Sequence, residues 1–193
     1  MGTSMSTHSL AAIHYERYFD IDELFIAACR QLAARGLRLG GIVQMSKGGV
    51  GGCATSVDLV DLRTGKAFDI WDDRGSCARG CRLDERGLSE AGKNLEKAID
   101  DRVDLLVINR FGRAESLGRG LRRHFAQAME ADIPVLTSVR EPYDVAWEEF
   151  HCGLAQKLQP NEDSVIAWVD SLVGLQCLTP PARAPVTTHY ESQ

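Results

Sequence analysis

The chain has 193 residues, 44% of them hydrophobic and 25% charged, with a formal net charge of −5. At roughly 150 residues per domain this is one globular domain with short extensions, and the composition excludes a disordered or low-complexity chain. No run approaches the ~20 apolar residues of a membrane span, and the acidic balance argues against a general nucleic-acid binder.

Leu10 to His14 is a short apolar run that predicts a first strand. Asp20 to Arg35 reads as a helix, because Ile21, Leu24, Phe25, Ala28, Cys29 and Leu32 recur at spacings of three and four. Asp20 with Glu23 resembles a capping box, and Gly36 supplies the stop. Leu37 to Met45 predicts a strand. Ala54 to Leu62 and Lys66 to Trp71 flank Arg63-Thr64-Gly65 and predict an antiparallel hairpin. Asp84 to Asp101 is a second helix, with Leu88, Ala91, Leu95, Ala98 and Ile99 on one face. Val103 to Ile108 is a nearly continuous apolar run, the mark of a strand buried on both sides. A third helix is expected over Glu115 to Ala131, and a buried strand over Ile133 to Val139. Trp147, Phe150, Leu154 and Leu158 suggest a fourth helix, and Val165 to Val173 a fifth. The reading gives a tail over 1–9, one α/β domain over 10–173 and a Pro-containing tail over 174–193. Alternating strands and helices imply a mostly parallel sheet covered on both faces, with the hairpin as an antiparallel annex at one edge.

In such sheets ligands bind beyond the carboxyl ends of the strands. Three segments follow strand ends: His14 to Phe19, Asn109 to Arg113, and Arg140 to Tyr143. The connection from Met45 to Ser56 could join them. Lys47-Gly48-Gly49-Val50-Gly51-Gly52-Cys53 begins like a deviant phosphate loop, but Gly52 and Cys53 replace its lysine and hydroxyl residue. The strand pattern that follows also lacks the helix whose amides would bind phosphate. The turn His14 to Asp20 has no glycine and no lysine, so its side chains block a close backbone approach to phosphate. Asp20 and Asp22 there read as caps. Nucleoside triphosphate hydrolysis of the usual kind is not expected.

The most informative stretch runs from Asn109 to Gly120. It sets Arg110, Arg113 and Arg119 near a helix N-terminus, with Arg122 and Arg123 further along. Guanidinium forks and free helix amides suit a tetrahedral oxyanion. The plainer alternative pairs Glu115 with Arg113 or Arg119 and leaves the rest as solvated surface. Gly112, Gly118 and Gly120 read as aids to tight packing. Arg82 lies in a second arginine-bearing stretch, from Asp72 to Asp84. Six cysteines occur, at 29, 53, 77, 81, 152 and 177. Cys29 reads as core. Cys53, Cys77 and Cys81 are weak candidates for a soft-metal site, because no CxxC pair occurs. His151-Cys152 points two ways on a helix and is no dyad, and His124 reads as helix surface. Met1 to Ala12 lacks a basic stretch leading into a long apolar core, so no secretory signal is expected and the reading is cytoplasmic.

These features resemble an uncharacterised bacterial family often encoded beside molybdate-transport genes. The resemblance rests on Gly40-Gly41-Ile42-Val43-Gln44, Asp61 to Gly65, Gly80 to Asp84, Ile133 to Thr137, Trp147 with Phe150, and above all Asn109 to Gly120. It implies a three-layer, P-loop-NTPase-like (Rossmann-like) fold whose phosphate loop is degenerate. Asn109 and Arg110 stand where the enzymes carry an acidic pair. The expectation is a non-hydrolysing binding protein for molybdate, tungstate or a nucleotide, with no catalytic residue named. Arg110, Arg113 and Arg119 would neutralise the anion beside Gly112, Asn109 would orient it, Arg82 would close over it and Cys81 would stand at the rim. A molybdate-transport or molybdenum-cofactor protein is the implied partner, and a homo-oligomer stays open. Two alternatives stand beside it: a divergent nucleoside triphosphatase or nucleotide-handling enzyme using Gly48 to Gly52, and a regulatory interaction module.

Overall fold

The computed structural model describes residues 9–48, 54–70 and 85–176. The elements follow in chain order as β1 (Leu10–His14), α1 (Ile21–Ala34), β2 (Leu39–Gly48), β3 (Ala54–Asp61), β4 (Ala67–Asp69), α2 (Glu85–Asp100), β5 (Leu105–Ile108), α3 (Arg113–Ser116), α4 (Arg122–Glu130), β6 (Val135–Val139), α5 (Asp144–His151), β7 (Ala155–Leu158) and α6 (Glu162–Gln176). They build a seven-stranded sheet of order β4-β3-β2-β5-β6-β1-β7. Strands β2, β5, β6, β1 and β7 run parallel, while β3 and β4 are antiparallel at one edge. The expected α/β class and its hairpin annex are both present.

The period of two in the strands sets the layers. In β5, Leu106 and Ile108 face one core while Leu105 and Val107 face the other. The first core gathers Ala91 and Leu95 of α2, Phe125 of α4 and Trp147 of α5. The second gathers Phe25 and Leu32 of α1 with Val165 and Trp168 of α6. Cys29 lies in that layer, as expected, and burial pushes its thiol up to about 12.

Three expectations need correction. The helix expected over Glu115 to Ala131 is two helices, because Gly118 and Gly120 take φ of 76° and 62°, which no right-handed helix accommodates. The helix expected to include Leu154 and Leu158 stops at His151. Cys152 and Gly153 are left-handed at φ of 50° and 81°, and Leu158 is the buried residue of strand β7. His124 is not on the surface but 2% exposed, between α4 and α2, where Gly92 leaves room for its ring. Helix α6, Glu162–Gln176, is also longer than the expected Val165 to Val173.

Gly48 closes β2 and Ala54 opens β3, and the two are antiparallel partners. The glycine run therefore joins two strands, not a strand and a helix. Gly49 to Cys53, with Cys77, Cys81 and Arg82, lies outside the described residues. Among the described residues no group of His, Cys, Asp and Glu is arranged to hold a metal ion, and no helix is long and apolar enough to cross a membrane.

Candidate functional site

The parallel strands bring His14, Asn109 and Arg140 to the same carboxyl edge, as the three expected strand-end segments require. A cleft of about 460 Å³ opens beside them. Asn109, Arg110, Gly112, Arg113 and Arg119 all line it, so the structure gathers the described members of the expected anion site in one place. Arg140, Tyr143 and Gln44 line it as well. Arg140 opened one of the three strand-end segments and Gln44 belonged to the Gly40 to Gln44 motif, but neither was named as a site residue.

The chain leaves β5 with alternate side chains pointing apart. Arg110 turns to the cleft. Phe111, 1% exposed, turns to the core against Trp147 at 5.1 Å and Phe150 at 5.5 Å. That aromatic anchor fixes the start of the loop. The Phe111 amide donates to the Ser138 carbonyl at 2.9 Å, and the Asn109–Arg110 peptide is cis.

Two expected roles change. Asn109 does not reach outward to orient an anion. It is 2% exposed, its Nδ2 donates to Asp22 Oδ1 at 3.0 Å, and its Oδ1 accepts from Ser138 Oγ at 3.0 Å. Two of the amides at the helix entries already have an acceptor as well. Glu115, 6% exposed, accepts the Gly112 amide on Oε2 at 3.0 Å and the Leu121 amide on Oε1 at 3.0 Å. One internal carboxylate thus caps the entries to α3 and α4, where an external anion would otherwise sit. The alternative pairing of Glu115 with Arg113 or Arg119 is replaced by these amide bonds. Gly120 is required here, because a Cβ would run into this carboxylate and Ala114.

The cationic donors at the cleft are guanidinium groups. Arg113 and Arg119 are exposed, and among the described residues neither side chain has an ion pair. Arg140 gives one Nη1 hydrogen bond to the Glu141 carbonyl, at 3.3 Å. Arg110 pairs with Asp22 at 2.9 Å. Asp22 is the member that the sequence reading missed as a site residue, since it looked like a helix cap. Asp20 alone caps α1, accepting the Glu23 amide at 3.0 Å. Arg122 and Arg123 serve the framework. The first bonds the Glu115 carbonyl and lies 4.7 Å over Phe150, and the second pairs with Glu96 at 2.6 Å.

A second cavity, of about 770 Å³, adjoins the first across Arg140. His14, Tyr15 and Lys157 line it. Burial pushes the Tyr15 phenol up, against the pull of Arg110 and Arg140. Burial, then Lys157, holds His14 below its ordinary value.

The fold is shared with small nucleoside triphosphatases. A human cancer-related nucleoside triphosphatase superposes with a TM-score of 0.61 at 14% identity, over 90% of this chain and 99% of that one. THEP1 from the hyperthermophile Aquifex aeolicus gives 0.58 at 12%, over 86% and 97%. At these identities the likeness is one of P-loop-NTPase-like fold. A curated relative, the molybdenum import ATP-binding protein ModC 2 of Bradyrhizobium diazoefficiens, is 40% identical over 159 residues. That match takes in 82% of this chain but 18% of the relative, so this chain corresponds to under a fifth of that protein's length. A family profile matches residues 10–168, a span that takes in every described site residue, and by it the chain belongs to the family described as "Protein of unknown function (DUF2478)".

Proposed function

We propose that the carboxyl-edge cleft binds a small tetrahedral oxyanion, molybdate or tungstate, without hydrolysing a nucleotide. One observation carries the reading: Arg110, Arg113, Arg119 and Arg140 converge on one cleft in a chain of net charge −5. Guanidinium groups bind oxyanions through paired N–H donors, and two of the four are exposed at its wall. The choice of molybdenum among oxyanions is supported by the 40% identical region of the molybdenum import protein. The same relative supports a molybdate-transport ATP-binding protein as the partner, and so a role in the cytoplasm. Hydrolysis is disfavoured by the turn after β1, which holds no glycine or lysine and ends on the Asp20 cap.

The fold of the structural neighbours supports one other reading, in which the cleft takes a nucleotide. Isothermal titration separates the two, with molybdate, tungstate, sulfate, phosphate and ATP, each with and without magnesium. The expected result is magnesium-independent binding of molybdate or tungstate, weakened at least tenfold in an Arg113→Ala, Arg119→Ala double variant. Magnesium-dependent ATP binding with phosphate release would replace this reading with the enzyme one. No binding of any of them would leave the interaction module.

A further inference from the structure

We infer that Asp22 is a built-in counter-anion of the arginine cleft, a carboxylate that holds Arg110 until an oxyanion takes its place. The inference rests on the oxyanion reading above. Asp22 stands in the first turn of α1, in the layer on the other side of the sheet from α2 and α4. Its Oδ1 accepts from Arg110 Nη2 at 2.9 Å and from Asn109 Nδ2 at 3.0 Å, and its Oδ2 accepts from Gln44 Nε2 at 3.4 Å. All three donors line the cleft, and Asp22 does not. The carboxylate therefore stands behind the wall and holds donor groups of residues that line the cavity.

Arg110 is incompletely satisfied in this arrangement. It offers Asp22 a single nitrogen within hydrogen-bond distance. Its Nε is buried and has no hydrogen-bond partner among the described residues. Arginine binds oxyanions best through two parallel N–H donors. Reorientation of Arg110 from Asp22 onto an oxyanion in the cleft exchanges a one-nitrogen pair for a two-nitrogen pair and gives Nε an acceptor. The exchange requires the bond to Asp22 to break, and that cost lowers the apparent affinity. The remaining charge on Asp22 also opposes a second anion nearby. Filling the cleft therefore removes one of the two bonds, those of Arg110 and Asn109, that tie the start of α1 to the segment after β5.

The test is isothermal titration of molybdate into the full chain as wild type, Asp22→Asn, Arg110→Gln and the double variant. Asparagine keeps an acceptor oxygen for Asn109 and removes the charge, and Gln44 can turn its own amide to accept from the new Nδ2. Asp22→Asn is expected to bind molybdate about tenfold more tightly than wild type, a gain that vanishes in the Arg110→Gln background. Equal or weaker binding by Asp22→Asn at an unchanged melting temperature overturns the inference and leaves the oxyanion reading standing. Binding by neither protein overturns the oxyanion reading itself, and binding by Asp22→Asn alone supports the counter-anion. Should Asp22→Asn melt lower, nitrogen-15 NMR of the wild type decides. Molybdate should shift the Arg110 Nε–H signal, and a bound state with that signal unmoved overturns the inference.

Discussion

Glu115 illustrates how much one side chain organises. The stretch Asn109 to Gly120 looked basic because its arginines dominate the composition, yet the most buried charge in it is an acid. Glu115 satisfies two amides that no other described side chain reaches, so its loss leaves both without a charged acceptor. Glu115→Ala should therefore cost about 3 kcal/mol of stability, measured by urea unfolding, and added formate should restore part of it. A loss below about 1 kcal/mol would mean that water replaces the carboxylate without cost. The guanidiniums of Arg113 and Arg119 behave differently. Exposed and without ion pairs among the described residues, they add little to folding, and their replacement should show in anion binding alone.

At the scale of elements, local chemistry decides where helices begin and end. Asp20 caps the N-terminus of α1, its carboxylate taking the Glu23 amide and placing a negative charge at this end of the helix. Asp20→Ala should destabilise the fold by about 1 kcal/mol, read as a lower urea midpoint at unchanged slope. Asp20→Asn, which keeps an acceptor oxygen, should lose less. Two helix ends were mispredicted for one reason. Apolar spacing continues through Gly118 to Gly120, and again through Cys152 to Leu158, while the backbone turns left-handed at both. Hydrophobic periodicity reports which faces are apolar. It does not report a break in handedness.

For the molecule as a whole, helices α2 and α4, neighbours in one layer, meet at a buried titratable group, His124. Its Nδ1 faces the Leu121 carbonyl, its Nε2 accepts from Arg123 Nε at 3.4 Å, and Glu96 lies 3.8 Å from Nε2. Burial, then Arg123, holds the imidazole below its ordinary value despite the opposing pull of Glu96. The unfolded chain thus takes up a proton near pH 6.5 that the folded chain refuses, and stability should fall as pH drops below that value. His124→Gln should flatten this decline in thermal unfolding between pH 7 and pH 5. An unchanged slope would assign the decline to other groups.

Taken alone, the sequence determined the α/β class, the strand-end placement of the candidate residues, the hairpin annex and the arginine-bearing loop after β5. Period-two and period-3.6 patterns, Gly and Asp at element ends, and a run of arginines after an apolar strand are all local signals. Only the tertiary structure decided what those groups do. Asp22 and Arg110 are 88 residues apart, and no spacing rule connects them. Asn109 meets Ser138 across 29 residues, and Arg140 reaches the cleft because β6 lies beside β5. Glu115 is a neighbour of the arginines in sequence, yet only the turn through Gly118 and Gly120 folds the Leu121 amide back onto it. Local pattern reports which side chains are present at an edge, and three-dimensional pairing decides which of them are already satisfied and which are left to meet a ligand.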